Sequence, residues 1–309
     1  MTDAQSQATA VADADAWERL LQENYGRYDT CKETYSFYDQ LKDGKIHSSV
    51  VDMFKENRER QTFDYVMQAR EKYGKLDKAM LSIWDVLDQL DNLEFDKNTV
   101  QLQQKVHAFQ MAEAMRREGM PRWMVLTGLI HDLGKYLYVL GEKQWTVSVL
   151  LLNDSKYAYA LICYCKVIGD TFPVGCKHCE SVLFSQFFDK NPDSNHPVYG
   201  TEHGIYEPHC GLANVYMSFG HDEYMYMVCK DYLPPEALFI IRYHSFYSCH
   251  QEGAYAWLLS QQDMQMMKWV KTFLRYDLYS YSEELPDLDS IKPYYKELIS
   301  EYFPEKIRW

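Results

Sequence analysis

The stretch LTGLIHDLGKYLYVL, residues 126–140, places His131 and Asp132 side by side in an otherwise apolar helical pattern. A buried carboxylate with no partner is costly, and a metal ion is one obvious partner for Asp132. Successive helical residues diverge by about 100°, so the two side chains cannot both face one small ion squarely. They can serve a pair of ions. The dipeptide alone also fits a core histidine beside a capping aspartate.

Composition narrows the class of protein. The chain has 309 residues, of which 47% are apolar, and a formal net charge of -13. This size suits one large domain or two ordinary ones, and the acidic charge argues against nucleic acid or an anionic membrane as the main partner. The sequence shows neither a secretory signal nor an apolar run long enough to span a membrane. Its eight cysteines therefore indicate reduced thiols in a cytoplasmic protein.

The apolar spacing predicts an all-α fold. Residues 1–16 are small and polar and predict a disordered tail, followed by a single domain over 17–309. Apolar residues recur at three- and four-residue spacing from Trp17 onward, and alternating strand patterns are scarce. The predicted helical segments are 17–28, 48–74, 77–95, 100–117, 121–141, 221–233, 234–250, 262–280 and 292–303. The irregular stretch between Asp170 and Gly220 is long enough to indicate a functional loop.

Histidines and carboxylates recur on these predicted helices. The candidate metal ligands are His107, His131, Asp132, His221, His244 and Asp277. Imidazole and carboxylate donors suit iron, manganese or zinc, and six ligands shared by two ions leave coordination positions open for catalysis. Spacing alone does not select these four histidines from the ten in the chain.

Longer sequence motifs identify which histidines are the candidate ligands. The pattern H…HD…D on successive helices is typical of HD-domain metalloproteins. The chain resembles myo-inositol oxygenase in VHAFQMAE, LIHDLGK, GEKQW, GDTFPVGC, PHCGL, SFGHDEYMYM, LPPEA, IRYHSFY, SQQD and LPDLDSIKPYY. The likeness extends from about Gly26 to Trp309.

The resemblance implies an HD-type helical bundle that holds two non-haem irons as a mixed-valent Fe(II)/Fe(III) pair, with no organic cofactor. One iron would be bound by His107, His131, Asp132 and Asp277, and the other by Asp132, His221 and His244, with Asp132 bridging. The implied reaction opens the ring of myo-inositol with O2 to give D-glucuronate, the first step of inositol catabolism. The resemblance also implies a cytoplasmic enzyme, and we expect a monomer.

The resemblance also implies residue roles beside the metals. Lys135, one turn from Asp132, would favour ionisation of a metal-bound hydroxyl, and these two residues are the predicted catalytic pair. The predicted substrate contacts are Arg27, Glu94, Lys135, Gly169, Asp170, His244 and Ser245. Asp96 competes with Glu94 for its role, because the alignment slips by about a residue there.

Two departures from the family pattern stand out. Residues 148–167 form an insertion between QWTV and IGDTF, which is either a genuine addition or a retained intron in the gene model. Tyr281 stands where the family has a substrate-facing lysine.

Three other functions stay open at this point. An HD-type phosphohydrolase would use the metal pair to activate water, and an inactive paralogue would serve only for binding. A structural zinc site over Cys163, Cys165, Cys176 and Cys179 is a further alternative.

Overall fold

The computed structural model describes residues 48–91, 104–147, 170–279 and 287–309. Residues 49–309 make one compact unit. Helices dominate the described residues, which confirms the predicted all-α class. The α-helices are α1 Ser48–Arg60, α2 Phe63–Tyr73, α3 Ile83–Asp91, α4 Gln104–Arg117, α5 Arg122–Ile130, α6 Gln144–Val147, α7 His221–Cys229, α8 Pro235–Tyr243, α9 Tyr247–His250, α10 Gln261–Tyr279 and α11 Leu288–Tyr302.

The helical pattern predicted over 48–74 is divided between α1 and α2. Thr62 lies between the two helices with an extended backbone (φ -89°, ψ 161°), and its hydroxyl accepts a hydrogen bond from the Tyr65 amide at 3.1 Å. A threonine at this position satisfies an amide that the first turn leaves without a helical partner. The capping hydroxyl therefore starts a new helix where apolar spacing alone predicted a continuous one.

A short antiparallel pair fixes the end of the chain. Strand β1, Met80–Leu81, pairs with β2, Ile307–Arg308. Trp309 is fully buried, and its indole Nε1 donates to the Leu81 carbonyl at 3.2 Å. A large aromatic side chain with its polar atom satisfied contributes strongly to a core.

Helix α5 lies at the centre of the described residues, since every residue from Met124 to Ile130 is buried. It packs against α4, α8, α10 and α11. A helix that is apolar on all sides must be covered on all sides. Three of these neighbours supply candidate ligands, since α4 carries His107, α10 carries Asp277 and His244 follows α8 directly.

The backbone tightens at the HD dipeptide, His131-Asp132. Helix α5 ends at Ile130, and residues His131–Tyr138 form a 3₁₀ helix rather than the continuous α-helix predicted over 121–141. A Cβ atom on Gly134 would lie 1.9 Å from the carbonyl oxygen of His221. Only glycine permits that approach, so the tightened segment packs directly on the start of α7. This packing brings His221 to the HD dipeptide.

Residues 170–220 are irregular with short 3₁₀ turns, as the sequence predicted. They are tied to α1 and to the residue that follows it. The Gln61 side chain exchanges two hydrogen bonds with the Phe219 backbone, at 2.6 and 2.9 Å, immediately before α7. Among the described helices, none combines the length and apolarity needed to cross a bilayer.

Candidate metal centre

The fold brings the six predicted ligands together from five parts of the chain. His107 lies on α4, and His131 and Asp132 begin the 3₁₀ helix. The other three are His221 at the first position of α7, His244 directly after α8, and Asp277 on α10. Three overlapping groups of these side chains, one of which also includes Asp222, have ligand atoms within 4.8 Å of one another.

The first group surrounds Asp277. Its Oδ1 lies 3.2 Å from His107 Nε2 and 3.7 Å from His131 Nε2. Asp132 lies between this group and the next, because its Oδ2 is 3.6 Å from His131 Nε2 and its Oδ1 is 3.4 Å from His221 Nε2. Ligands held at ~2.0–2.2 Å from one ion lie roughly 2.8–3.6 Å from each other. A carboxylate with one oxygen towards each group can bridge two ions.

The imidazoles are oriented for metal binding. The Nδ1 atoms of three of them face backbone carbonyls: His131 that of Gly128 at 2.9 Å, His221 that of Val147 at 3.1 Å, and His244 that of Ile241 at 3.1 Å. A carbonyl oxygen only accepts, so each Nδ1 carries the proton. In a neutral ring, Nε2 then presents a lone pair.

The lone pair of His131 points at carboxylate oxygens, and a cation between them would remove the repulsion. Burial lowers the pKa of His131 to about 4, so this ring is neutral at pH 7. Its Nε2 nevertheless faces both Asp132 and Asp277. The residues present therefore fit a metal ion, with backbone carbonyls fixing the rings as metal-bound histidines require.

The carboxylates are held ionised. Burial acts to raise the pKa of Asp132, but Lys135 and the neighbouring imidazoles outweigh it, and the pKa falls well below its usual range. The pKa of Asp277 is also lowered despite burial, because His107 donates to it and His131 is near. Both groups are therefore charged at neutral pH and ready to bind a cation.

Lys135 contacts the bridging carboxylate directly. Its Nζ lies 2.6 Å from Asp132 Oδ2, and 13% of its side chain is exposed. A solvated lysine on a helix surface would be far more exposed. The ammonium group instead lies at the edge of the predicted metal pair, where it can stabilise negative charge.

The loop that begins at Asp170 lies beside the same cluster. The Thr171 amide donates to the Ser245 carbonyl at 2.9 Å, next to His244. Asp170 is buried, and its Oδ2 accepts from Arg58 Nη2 at 2.8 Å and from the Leu183 amide at 3.0 Å. Among the described residues, no hydrogen bond reaches Asp170 Oδ1 or Thr171 Oγ1. Their capacity to form hydrogen bonds is therefore unused among the described residues.

Several predictions fall outside the described residues. These are the tail over 1–16, Arg27, Glu94, Asp96, the segment 148–167 with Cys163 and Cys165, Gly169 and Tyr281. In the described part of the chain, Cys176 and Cys179 belong to none of the groups that can hold a metal. The five cysteines found there are free thiols.

Asp222 is not among the residues predicted from the sequence, yet it lies within the cluster. Its Oδ1 lies 2.9 Å from His221 Nε2 and 3.3 Å from His244 Nε2, and 2% of its side chain is exposed. Burial acts to lower the pKa of His221, but the charges of Asp222 and Asp132 raise it. The sequence does contain a feature that could have identified Asp222, because His221-Asp222 repeats the dipeptide His131-Asp132.

Ion pairs between helices α2, α7 and α8 are likewise absent from the sequence-based predictions. Glu223, on α7, is buried and accepts from Arg242 Nε of α8 at 2.6 Å and from Arg70 of α2. His221 precedes Glu223 by two residues, and His244 follows Arg242 by two. The pair therefore joins the helices next to both histidines.

Comparison with known proteins agrees with this geometry. The family model described as "Myo-inositol oxygenase" matches residues 47–153 and 155–309. "Probable inositol oxygenase" of Oryza sativa subsp. japonica is 42% identical over 269 residues, covering 84% of this chain and 81% of its own length.

Two animal relatives are similar to a comparable degree. "Inositol oxygenase" of Danio rerio is 40% identical over 278 residues, covering 88% of this chain and 93% of its own. "Inositol oxygenase" of Rattus norvegicus is 40% identical over 272 residues, covering 86% and 88%. The match spans most of the chain and includes all of the clustered histidines and aspartates, so this protein is an oxygenase that belongs to the myo-inositol oxygenase family.

Proposed function

We propose that this enzyme cleaves the ring of myo-inositol with O2 to give D-glucuronate at a pair of iron ions. The observation that carries the proposal is the convergence of six nitrogen and oxygen donors beside two buried oxygens, Asp170 Oδ1 and Thr171 Oγ1, that have no hydrogen-bond partner among the described residues. A polyol offers the hydroxyl groups that such acceptors need. The family relationship favours this reaction over phosphate hydrolysis or a binding role.

The proposed ligands are divided between two positions. His107, His131, Asp132 and Asp277 would hold one iron, while Asp132, His221 and His244 would hold the second. Bound there as an Fe(II)/Fe(III) pair, the irons supply redox capacity towards O2 and open positions for substrate oxygens. No organic cofactor is required, and a monomeric, cytoplasmic enzyme stays a prediction from the sequence.

The protein's own groups would bind and orient the substrate. Lys135, 2.6 Å from Asp132, would stabilise a substrate hydroxyl in its ionised form. Asp170, held by Arg58 through its other oxygen, would accept from a further hydroxyl. Ser245, which lies beside His244 and is linked to Thr171, would contribute another contact. Such fixed contacts hold the reacting carbons in one orientation.

The test is aerobic turnover by purified protein loaded anaerobically with Fe(II) to a measured iron content. We expect mass spectrometry to identify D-glucuronate as the product of myo-inositol, and Asp132→Ala to produce none. A phosphate ester, p-nitrophenyl phosphate, assayed in parallel should not be hydrolysed. If protein of verified iron content forms no D-glucuronate, or hydrolyses the ester instead, the proposed function is wrong.

A further inference from the structure

Asp222 is a buried carboxylate that lacks hydrogen-bond partners among the described residues. The residue is 1% exposed, and neither of its carboxylate oxygens has a hydrogen-bond partner among the described residues. A buried charge without hydrogen bonds is unfavourable unless a cation lies close to it. A cation bound next to this side chain would compensate its charge.

The surroundings of Asp222 indicate what binds there. Its Oδ1 lies 2.9 Å from His221 Nε2 and 3.3 Å from His244 Nε2. Both separations fall within the roughly 2.8–3.6 Å expected for two ligands of one ion. The Nδ1 atoms of both rings face backbone carbonyls, so it is the Nε2 atoms that face the carboxylate. One cation at this point would satisfy all three groups.

We propose that Asp222 is an additional ligand of the second metal position and holds the ion there before substrate arrives. This inference rests on the proposed metal pair. Asp222 would be the third carboxylate of the metal pair, after Asp132 and Asp277. The second position would then have two carboxylates and two imidazoles. In the substrate-free enzyme, Asp222 occupies a coordination position that the entering inositol oxygens then take.

The direct test is Asp222→Asn, which keeps the shape of the side chain and removes its charge. The matched control is Asp193→Asn, a buried aspartate whose Oδ2 accepts from the Phe63 amide at 2.6 Å. Iron per chain is measured after anaerobic loading and desalting, without inositol. We expect about two irons in the wild type and in Asp193→Asn, and about one in Asp222→Asn.

Thermal unfolding separates a ligand from a structural residue. Asp222→Asn should leave the Tm of the metal-free protein unchanged or higher, because it removes a buried charge without hydrogen bonds, while the rise in Tm on adding Fe(II) becomes smaller. Asp193→Asn should lower the metal-free Tm and keep the full rise. Wild-type iron content in Asp222→Asn, or a lower metal-free Tm that accounts for its iron loss, would overturn the inference.

A measurement on the wild type covers the case in which Asp222→Asn does not fold. In a crystal structure of the iron-loaded, substrate-free enzyme, Asp222 should lie at a bonding distance of about 2.0–2.2 Å from the second iron. A distance beyond about 3 Å would exclude ligation. A wild-type protein that binds no iron at all would instead contradict the proposed function, so the two failures are distinguishable.

Discussion

The chemistry of single residues in the metal centre depends on which nitrogen of each imidazole faces inward. His131, His221 and His244 have Nδ1 directed at a backbone carbonyl, at 2.9, 3.1 and 3.1 Å. Sequence spacing cannot reveal this, because the acceptors lie on three different parts of the backbone. The resemblance to a family selected the histidines, whereas the structure explains why their Nε2 atoms are available to a metal.

Removing individual ligands should separate the two metal positions. Asp132→Ala should abolish nearly all iron binding, because its two oxygens face different groups of ligands. His244→Ala should lose mainly the second iron. His203→Ala, an exposed histidine whose ring contacts Trp257 at a tilt, serves as the control and should keep both. Iron is counted by inductively coupled plasma mass spectrometry, and full iron content in both ligand variants would show that the assignment is wrong.

Lys135 should matter for turnover more than for iron. Lys135→Ala leaves every proposed ligand in place, yet it removes the ammonium group 2.6 Å from Asp132. We expect kcat to fall by ~10²–10⁴, the usual range for electrostatic or acid–base groups, with iron content retained. Lys72→Ala, at a lysine paired with Glu142 and 56% exposed, should have wild-type kcat. A wild-type kcat in Lys135→Ala would show that this lysine has no role in turnover.

At the scale of helices and strands, apolar spacing predicted which segments are helical better than it predicted where they end. It merged α1 with α2, and it continued α5 through the 3₁₀ helix His131–Tyr138. The first boundary depends on a capping hydroxyl on Thr62, and the second on the backbone of His221 meeting Gly134. The second contact joins residues far apart in the sequence, so no local pattern contains it.

The buried Glu223–Arg242 pair should control the alignment of α7 and α8. Glu223→Gln weakens a desolvated pair in which the Arg242 Nε–Oε2 distance is 2.6 Å, and loss of one partner typically costs about 3–5 kcal/mol. The free energy of unfolding should fall by about that amount, and iron in the second position should be depleted because His221 and His244 lose their alignment.

The control for this variant is Glu301→Gln, which weakens an exposed pair with Arg122. Exposed pairs contribute about 0–1 kcal/mol, so this change should be nearly neutral in urea unfolding. Equal effects of the two substitutions would show that the buried pair does not align the helices.

At the scale of the whole molecule, a long-range network joins the irregular loop over 170–220 to the helices. Arg58, fully buried, links α1 to Asp170 at 2.8 Å and to the Leu183 carbonyl at 3.0 Å. The sequence predicted a functional loop from its composition, but it gave no sign that a buried arginine holds it. The arrangement depends on contacts between residues more than 100 positions apart, which only the folded chain brings together.

Whether residues 148–167 belong to the natural protein is also a question about the whole molecule. The described residues on both sides of this segment contact the candidate metal centre, since the Val147 carbonyl accepts from His221 and the Thr171 amide donates to the Ser245 carbonyl beside His244. If the segment is a retained intron, the mature transcript will lack it, and protein without residues 148–167 should keep both irons and turn over inositol faster. A transcript that carries the segment, with an inactive shortened protein, would mean that the insertion belongs to the enzyme.

The proposed function requires that O2 alone oxidises inositol at the metal centre. Ring cleavage to D-glucuronate removes four electrons from the substrate, which matches the four-electron reduction of one O2, with one oxygen atom entering the product and the other leaving as water. O2 consumption and D-glucuronate formation should therefore be measured together, in iron-loaded enzyme without an external reductant. We expect one O2 to be consumed for each D-glucuronate formed. A stoichiometric requirement for NAD(P)H, or O2 consumption well above product formation, would contradict it.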